Sequence, residues 1–358
     1  MPGSNGSNSV LRPSRPTIAI DGEDKPALAE GLLKMVIVET TEGLYRSEIT
    51  IGNWGTVDNQ IGFLYFDQRT IDFGKTIKVS LGTDTLFEGR IMGLEANFPE
   101  GRPATLNVLA EDRFQDLRMK RRTRTFENVS DSDVVSQIAS DYGLSPNVSI
   151  TGPSHKVLAQ VNQSDLAFLR ERAHAVDAEL WMEGSTLHVQ SHSSRGGETL
   201  QLSYGGELRE FVVLADLAGQ RTSFSVNGWD VSGKAALTHE ATESVISSEL
   251  NGDVSGVSIL SSKLGQRKDA MAHAVPLTSQ EAQAAAESYF KLGARRFVVG
   301  RGIAETDARI RVGNKVQISA LGPLFSGTYY LTDVQHLFDG ARGIRTEFTA
   351  QRPGLGRP

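Results

Sequence analysis

Apolar residues alternate with small or polar ones along most of this chain. Ile18 and Ile20 open the pattern, the runs from Leu32 to Val38 and from Tyr45 to Ile51 carry it on, and Ile77, Val79 and Leu81 interleave with Lys78 and Ser80. A period of two is what a strand with one buried face requires. The pattern continues from Leu86 to Ile91, breaks at the turn marked by Phe98, Pro99 and Gly101, and closes with Leu106, Val108 and Ala110. It returns from Phe211 to Leu214, from Phe224 to Val231 and from Phe297 to Ala350.

Three segments switch to helical spacing. Ser130 stands as a cap, with Asp133 three residues on, ahead of Val134, Val135, Ile138 and Tyr142; Gly143 ends the run. Ser164 precedes Leu166, Leu169, Ala173 and Val176, with Asp165 in the first turn, where the helix dipole favours an acid. Thr278 and Glu281 form the capping box of a third helix carrying Ala282, Ala285, Ala286, Tyr289 and Phe290, and Gly293 is its expected stop. Gly184 and Ser185 turn a hairpin whose arms carry Leu180 and Met182, then Leu187 and Val189. From Thr238 to Lys268 the chain is polar and Ser-rich, with little periodicity.

The first and last β units share a pattern. Gly74, Ile77, Val79 and Ser80 correspond to Gly313, Val316, Ile318 and Ser319; Leu86, Phe87 and Gly89 to Leu324, Phe325 and Gly327. Further on, Phe98 and Gly101 correspond to Phe338 and Gly340, and Ala110 with Arg113 to Ala350 with Arg352. Each copy reads as a strand, a glycine-marked bend, a second strand, a turn and a closing strand, the set that curls into a small antiparallel barrel. Two such barrels per chain let three chains make a ring of six.

At 358 residues the chain exceeds one ordinary core, and its 36 glycines fit short strands joined by many turns. The formal net charge of −6 comes from interspersed acids and bases, which argues against general nucleic-acid affinity. With no cysteine, disulfides, thiolate metal sites and cysteine nucleophiles are excluded. Met1 to Pro16 has no apolar block and reads as a flexible arm, not a secretory signal. No apolar run approaches the roughly 18 residues of a membrane span.

Candidate chemistry is sparse. His188 and His192 are four apart, but on a strand that spacing puts them about 13 Å from each other, too far to share a metal. Glu111 with Asp112, and Glu179 with Glu183, are the carboxylate pairs a glycan hydrolase would need, yet nothing fixes one of them as an acid. No glycine cluster ends in Lys-Ser/Thr, and no serine is framed by Gly-x-Ser-x-Gly. We therefore assign no catalytic, cofactor or metal residue. The strongest charge cluster is Arg118, Lys120, Arg121, Arg122 and Arg124, which reads either as a solvated face or as a surface lining a lumen and docking acidic partners.

These residues resemble the phage late control protein D family, the baseplate hub that also forms the N-terminal part of type VI secretion spike proteins. The likeness is carried by Ala110-Glu111-Asp112-Arg113, Arg122 to Phe126, Tyr142-Gly143-Leu144, Gln160 to Asn162, Ser164-Asp165-Leu166 with Phe168-Leu169, and Trp181 to Val189. Gly327-Thr328-Tyr329-Tyr330, Val334, His336 and Thr346-Glu347-Phe348 continue it, so that it spans roughly Thr17 to Arg352. The resemblance implies a homotrimer whose paired barrels form a pseudo-hexameric ring between a sixfold inner tube and a threefold spike. It also implies structural pairing for Asp112 and Arg113. Because the chain stops at Pro358, the expected spike is a separate polypeptide.

The expectation is therefore a mainly β protein of the α+β class, not an enzyme, with two small tube-like antiparallel β-barrels bracketing an α/β middle region. Its parts are an arm (1–16), a first barrel (17–117), the middle region (118–195), a second barrel (196–240 and 295–352), an insertion with one helix (241–294) and a tail (353–358). Expected partners are further copies of the chain, the inner tube protein, the spike, baseplate wedge and tape-measure proteins, and a cargo effector in some machines, with no specific nucleic acid. Besides the basic cluster, Phe87, Phe325 and Tyr329 are the residues expected to serve packing or contact. Such a protein would assemble in the cytoplasm and end in a phage-tail-like particle, whether virion or extracellular injection system. The alternatives are a tail-associated cell-wall hydrolase and a monomeric receptor-binding or effector-loading module.

Overall fold

In the computed structural model the alternating runs become strands with one buried face, and the fold is mainly β, of the α+β class. Residues 15–57, 59–230, 233–271 and 276–357 are described; most of the expected arm, and Pro358 of the tail, lie outside them. The chain divides into two units. One holds residues up to 37, 47–110 and 336–344; the other holds 38–46, 111–335 and 345 onward.

In the first unit, Arg46–Gly52, Thr105–Glu111, Asp84–Asn97, Thr76–Leu81 and Thr17–Ile20 lie side by side in that order, and the two-residue strand Glu23–Asp24 follows. Ile18, Ile20, Ile49, Ile51, Ile77, Val79, Phe87, Ile91, Leu106 and Val108 point into its core. Burying aliphatic side chains on one face of each strand is the main stabilising contribution, roughly 1.5–3 kcal/mol per side chain.

The second unit has three parts. In its β part, Leu208–Ala215, Val298–Glu305, Gly343–Arg352 and Gly327–Asp339 are neighbours, joined by Lys315–Ser319 and Leu200–Ser203. Gly300 and Gly302 are glycines for a steric reason: a Cβ there would come within 2.1 Å of the Phe211 ring and 2.4 Å of the Phe348 ring. The middle part pairs the ribbon Arg121–Ser130 with Ser154–Ser164, and the hairpin Ala178–Glu183/Thr186–Ser191 with Ser145–Ser149. Helices Asp131–Asp141 and Asp165–Ala175 bury Val134, Val135, Ile138, Leu166, Phe168 and Leu169 against these strands.

Ser130 and Asp133 make the predicted capping box, and Ser164 accepts the Ala167 amide. The third part differs from the sequence expectation. Strands Ser223–Asp230 and Ala235–Thr242, expected to lie in the second barrel, instead form a sheet with Lys268–Met271. That sheet packs on the helix Ser279–Arg295 through Val226, Ala241, Met271, Ala282, Ala286 and Phe290. The insertion also carries a second α-helix, Gly256–Leu264, where one was expected. The long helix runs past Gly293 to Arg295, because Arg295 is anchored by Asp177 and by Glu249 at 2.7 and 2.8 Å.

The internal repeat is visible as shared hydrogen bonding. Gly74 N–H donates to Ile91 O at 2.8 Å and Ile91 N–H to Lys75 O at 2.9 Å; Gly313 N–H donates to Leu331 O and Leu331 N–H to Asn314 O, both at 3.0 Å. Both glycines have positive φ, 79° and 91°. The second half of the sequence correspondence shifts. Val79 pairs with Phe87, whereas its counterpart Ile318 pairs with Gly327, so Phe87 matches Gly327 rather than Phe325. The cause is local: a tight turn links the first pair of strands, while the short helix Gly322–Phe325 occupies that connection in the second.

Candidate interaction surfaces

The basic cluster separates into inward-tied and outward residues. Arg122 pairs with Asp141 at 3.2 Å and Asp165 at 3.0 Å; Arg124 pairs with the same carboxylates at 2.8 and 2.9 Å. Tyr142 Oη donates to Asp165 at 2.6 Å, and Gln160 Nε2 donates to it at 2.9 Å. Asp165 is fully buried, so these guanidiniums stabilise a buried carboxylate at the start of a helix. Arg118 reaches Glu111 at 2.5 Å. Lys120 and Arg121 remain at the surface, Arg121 donating only to Asn162 O at 3.0 Å. Met119 just before them and Val161 across the ribbon are 69 and 64% exposed; Val157, 50% exposed, lies further along, opposite Glu127.

Phe87 and Tyr329 are buried, 4 and 0% exposed. Tyr329 donates its hydroxyl to Phe325 O at 2.7 Å and meets Phe211 edge-on, while Phe325 lies half-buried beside the same core.

Asp112 and Arg113 do not pair with each other. Asp112 accepts the amides of Tyr45 at 2.8 Å and Phe114 at 2.9 Å, and Arg113 reaches Tyr142 O and Asp116. Burial pushes the Asp112 carboxyl up to about 7 despite those two amides. The other carboxylates weighed as hydrolytic are also engaged. Glu179 binds Arg195 at 2.7 Å, His192 at 2.9 Å and Tyr330 Oη at 2.7 Å, and Glu183 accepts the Trp181 indole at 3.0 Å. His188 stacks on Trp181, and the His192 ring packs at a tilt against Tyr330. Among the described residues no three His, Asp or Glu side chains converge as metal ligands.

Two features escaped sequence reasoning. The first is a buried arginine: Arg195 donates to Glu179, to Tyr45 Oη at 2.8 Å and to Val312 O at 3.2 Å, and its guanidinium lies 4.3 Å from the Trp181 ring centre. The second is His155, held between Asp131 at 3.3 Å and Glu281 at 2.6 Å, with Arg172 on Asp131 at 2.6 Å. Burial opposes its charge, but the two carboxylates prevail and lift its pKa to about 9.

Two groups of exposed apolar side chains stand out. Trp54, Phe63 and Phe98, 48, 45 and 63% exposed, pack edge to face in the first unit. In the second, Val212 and Leu214 are 75 and 62% exposed on Leu208–Ala215, the last strand of its sheet. Among the described residues no helix is long and apolar enough to cross a membrane.

The fold is that of phage tail proteins. The 43 kDa tail protein of prophage MuSo2 from Shewanella oneidensis is similar with a TM-score of 0.70 at 12% identity, over 95% of this chain and 98% of that one. A tail protein from Neisseria meningitidis MC58 gives 0.68 at 12% identity, over 95 and 98%. The Escherichia coli c3393 protein, described as a component of the type VI secretion system with structural similarity to T4 bacteriophage tail proteins gp27 and gp5, gives 0.58 at 14% identity, over 95 and 79%. No curated protein matches the sequence. The chain belongs to the Alg8 N-terminal domain family, which matches residues 15–339.

Proposed function

We propose that this chain is a baseplate hub of a contractile, phage-tail-like injection machine: a homotrimer that joins a sixfold inner tube to a threefold spike, acting by binding rather than catalysis. The carrying observation is the repeat. Two β units of one chain share the same pair of glycine-anchored hydrogen bonds, so three chains present six similar units to a sixfold partner and three chain-specific surfaces to a threefold one.

The fold shared with tail proteins and with a type VI secretion component supports the reading. So does the engagement of Glu111, Asp112 and Glu179 by arginine, histidine and backbone amides. Inner tube protein and spike are the direct partners, with baseplate wedge, tape-measure and cargo proteins around them.

The test is nucleation. Purified chain added to inner tube protein at a concentration where that protein alone stays soluble is expected to yield tubes capped at one end, visible by negative stain. Tube protein indifferent to the chain, combined with clearing of purified cell walls by the chain, would overturn the proposal in favour of a hydrolase.

A further inference from the structure

Two surfaces of the second unit are complementary. The first is the end of its β sheet. Leu208–Ala215 pairs with Val298–Glu305 on one side and has no strand on the other among the described residues. On its outward face stand Glu210, Val212 and Leu214, beside a groove of about 380 Å³ that Glu210, Asp333, Glu347 and Arg301 line with three carboxylates to one guanidinium. Glu210 and Glu347 are exposed, and among the described residues neither makes an ion pair. A free edge carrying two exposed aliphatic side chains invites aggregation unless something covers it.

The second surface is the ribbon. Among the described residues Arg121–Ser130 pairs with Ser154–Ser164 alone, and at one end of its outward face Val161 stands with the charges of Lys120 and Arg121 beside it, while Val157 lies further along, opposite Glu127. The inward arginines of the same ribbon are consumed by Asp141 and Asp165, so Lys120 and Arg121 are the cations left for another surface.

One surface is apolar and acidic, the other apolar and basic. We infer that the basic end of the ribbon of one copy seats on the Leu208–Ala215 edge of the next, with Val161 against Val212 and Leu214, and Lys120 and Arg121 facing Glu210 and Glu347. Contact between unlike surfaces is head-to-tail and must either close into a ring or propagate. The inference rests on the trimeric hub reading, in which it closes at three, and it names the seam.

The absence of cysteine makes the test clean. A Val161→Cys/Val212→Cys chain treated with a short bismaleimide is expected to give a denaturing-gel ladder ending at three chains, while either single variant stays at one. Lys120→Glu with Arg121→Glu, or Glu210→Lys with Glu347→Lys, is expected to weaken self-association by about tenfold or more, and combining the four to restore it. A wild-type chain that light scattering shows to be trimeric, with no ladder from the double variant, would overturn the seam and leave the hub reading standing. A chain that stays monomeric with and without its spike would overturn both.

Discussion

Replacing Arg195 with methionine removes a buried cation from between the middle hairpin and the second β part. The guanidinium gives up its pair with Glu179 and its bonds to Tyr45 Oη and Val312 O. Breaking a buried ion pair by deleting one partner costs about 3–5 kcal/mol. Glu179 keeps His192 and the Tyr330 hydroxyl, which puts the expected loss near the lower end, about 3 kcal/mol at pH 7.

In a thermal melt followed by circular dichroism, that is a fall of roughly 4 °C in Tm for a chain of this length. The pH dependence is the sharper signature. In the parent protein burial opposes the Glu179 charge, but His192 and Arg195 outweigh it and hold the carboxyl below its ordinary 4.5. Such a group contributes stability above that value and loses it as pH falls through the folded-state pKa. Without Arg195, burial dominates and the carboxyl rises, so the variant is penalised above 4.5 and relieved as the group protonates. The gap between parent and Arg195→Met should therefore narrow between pH 7 and pH 4, and adding Glu179→Gln should recover part of the loss at pH 7. A loss below about 1 kcal/mol, or a gap unchanged with pH, would refute the reasoning.

The two equivalent glycines should respond differently to alanine. Around Gly74 nothing lies within 4 Å of an added Cβ, so Gly74→Ala should cost about 1 kcal/mol of backbone strain; at Gly313 the Cβ would meet Arg195 Nε at 2.2 Å, and about 3 kcal/mol or more is expected in urea unfolding. His155 has a folded pKa of about 9 against an ordinary 6.5, so its contribution, about 2 kcal/mol, is complete below 6.5 and fades as pH rises through 9; His155→Gln should flatten that slope in melts across the range. Arg124→Glu, which sets a second anion against Asp165, should destabilise by about 2 kcal/mol or more, while Lys120→Glu should stay within about 0.5 kcal/mol, as chemical denaturation would show.

Local signals were legible and distant pairings were not. Ser130, Asp133 and Ser164 announce their helices because a cap and its amide lie within one turn. The strand repeat was readable at Gly74 and Gly313, where positive φ demands glycine. It slipped at Phe325, because a helical turn and a tight turn of similar length look alike in a string of apolar residues. The hairpin of Ser223–Asp230 and Ala235–Thr242 gave no sign of its partner, since Lys268–Met271 is short and lies past a polar stretch. The basic run looked like a surface because its carboxylates, Asp141 and Asp165, lie 17 and 41 residues beyond Arg124 in sequence. Arg195 carried no signal at all: it sits in a Ser/Gly-rich linker, and only the fold brings Glu179, Tyr45 and Val312 around it.

The mass of the protein in solution tests the hub most directly. Light scattering on the purified chain, alone and then with a trimeric tail-spike protein, is expected to give a trimer of the 38.8 kDa chain, formed or locked by the spike. A monomer at every concentration, indifferent to that partner, would contradict the account.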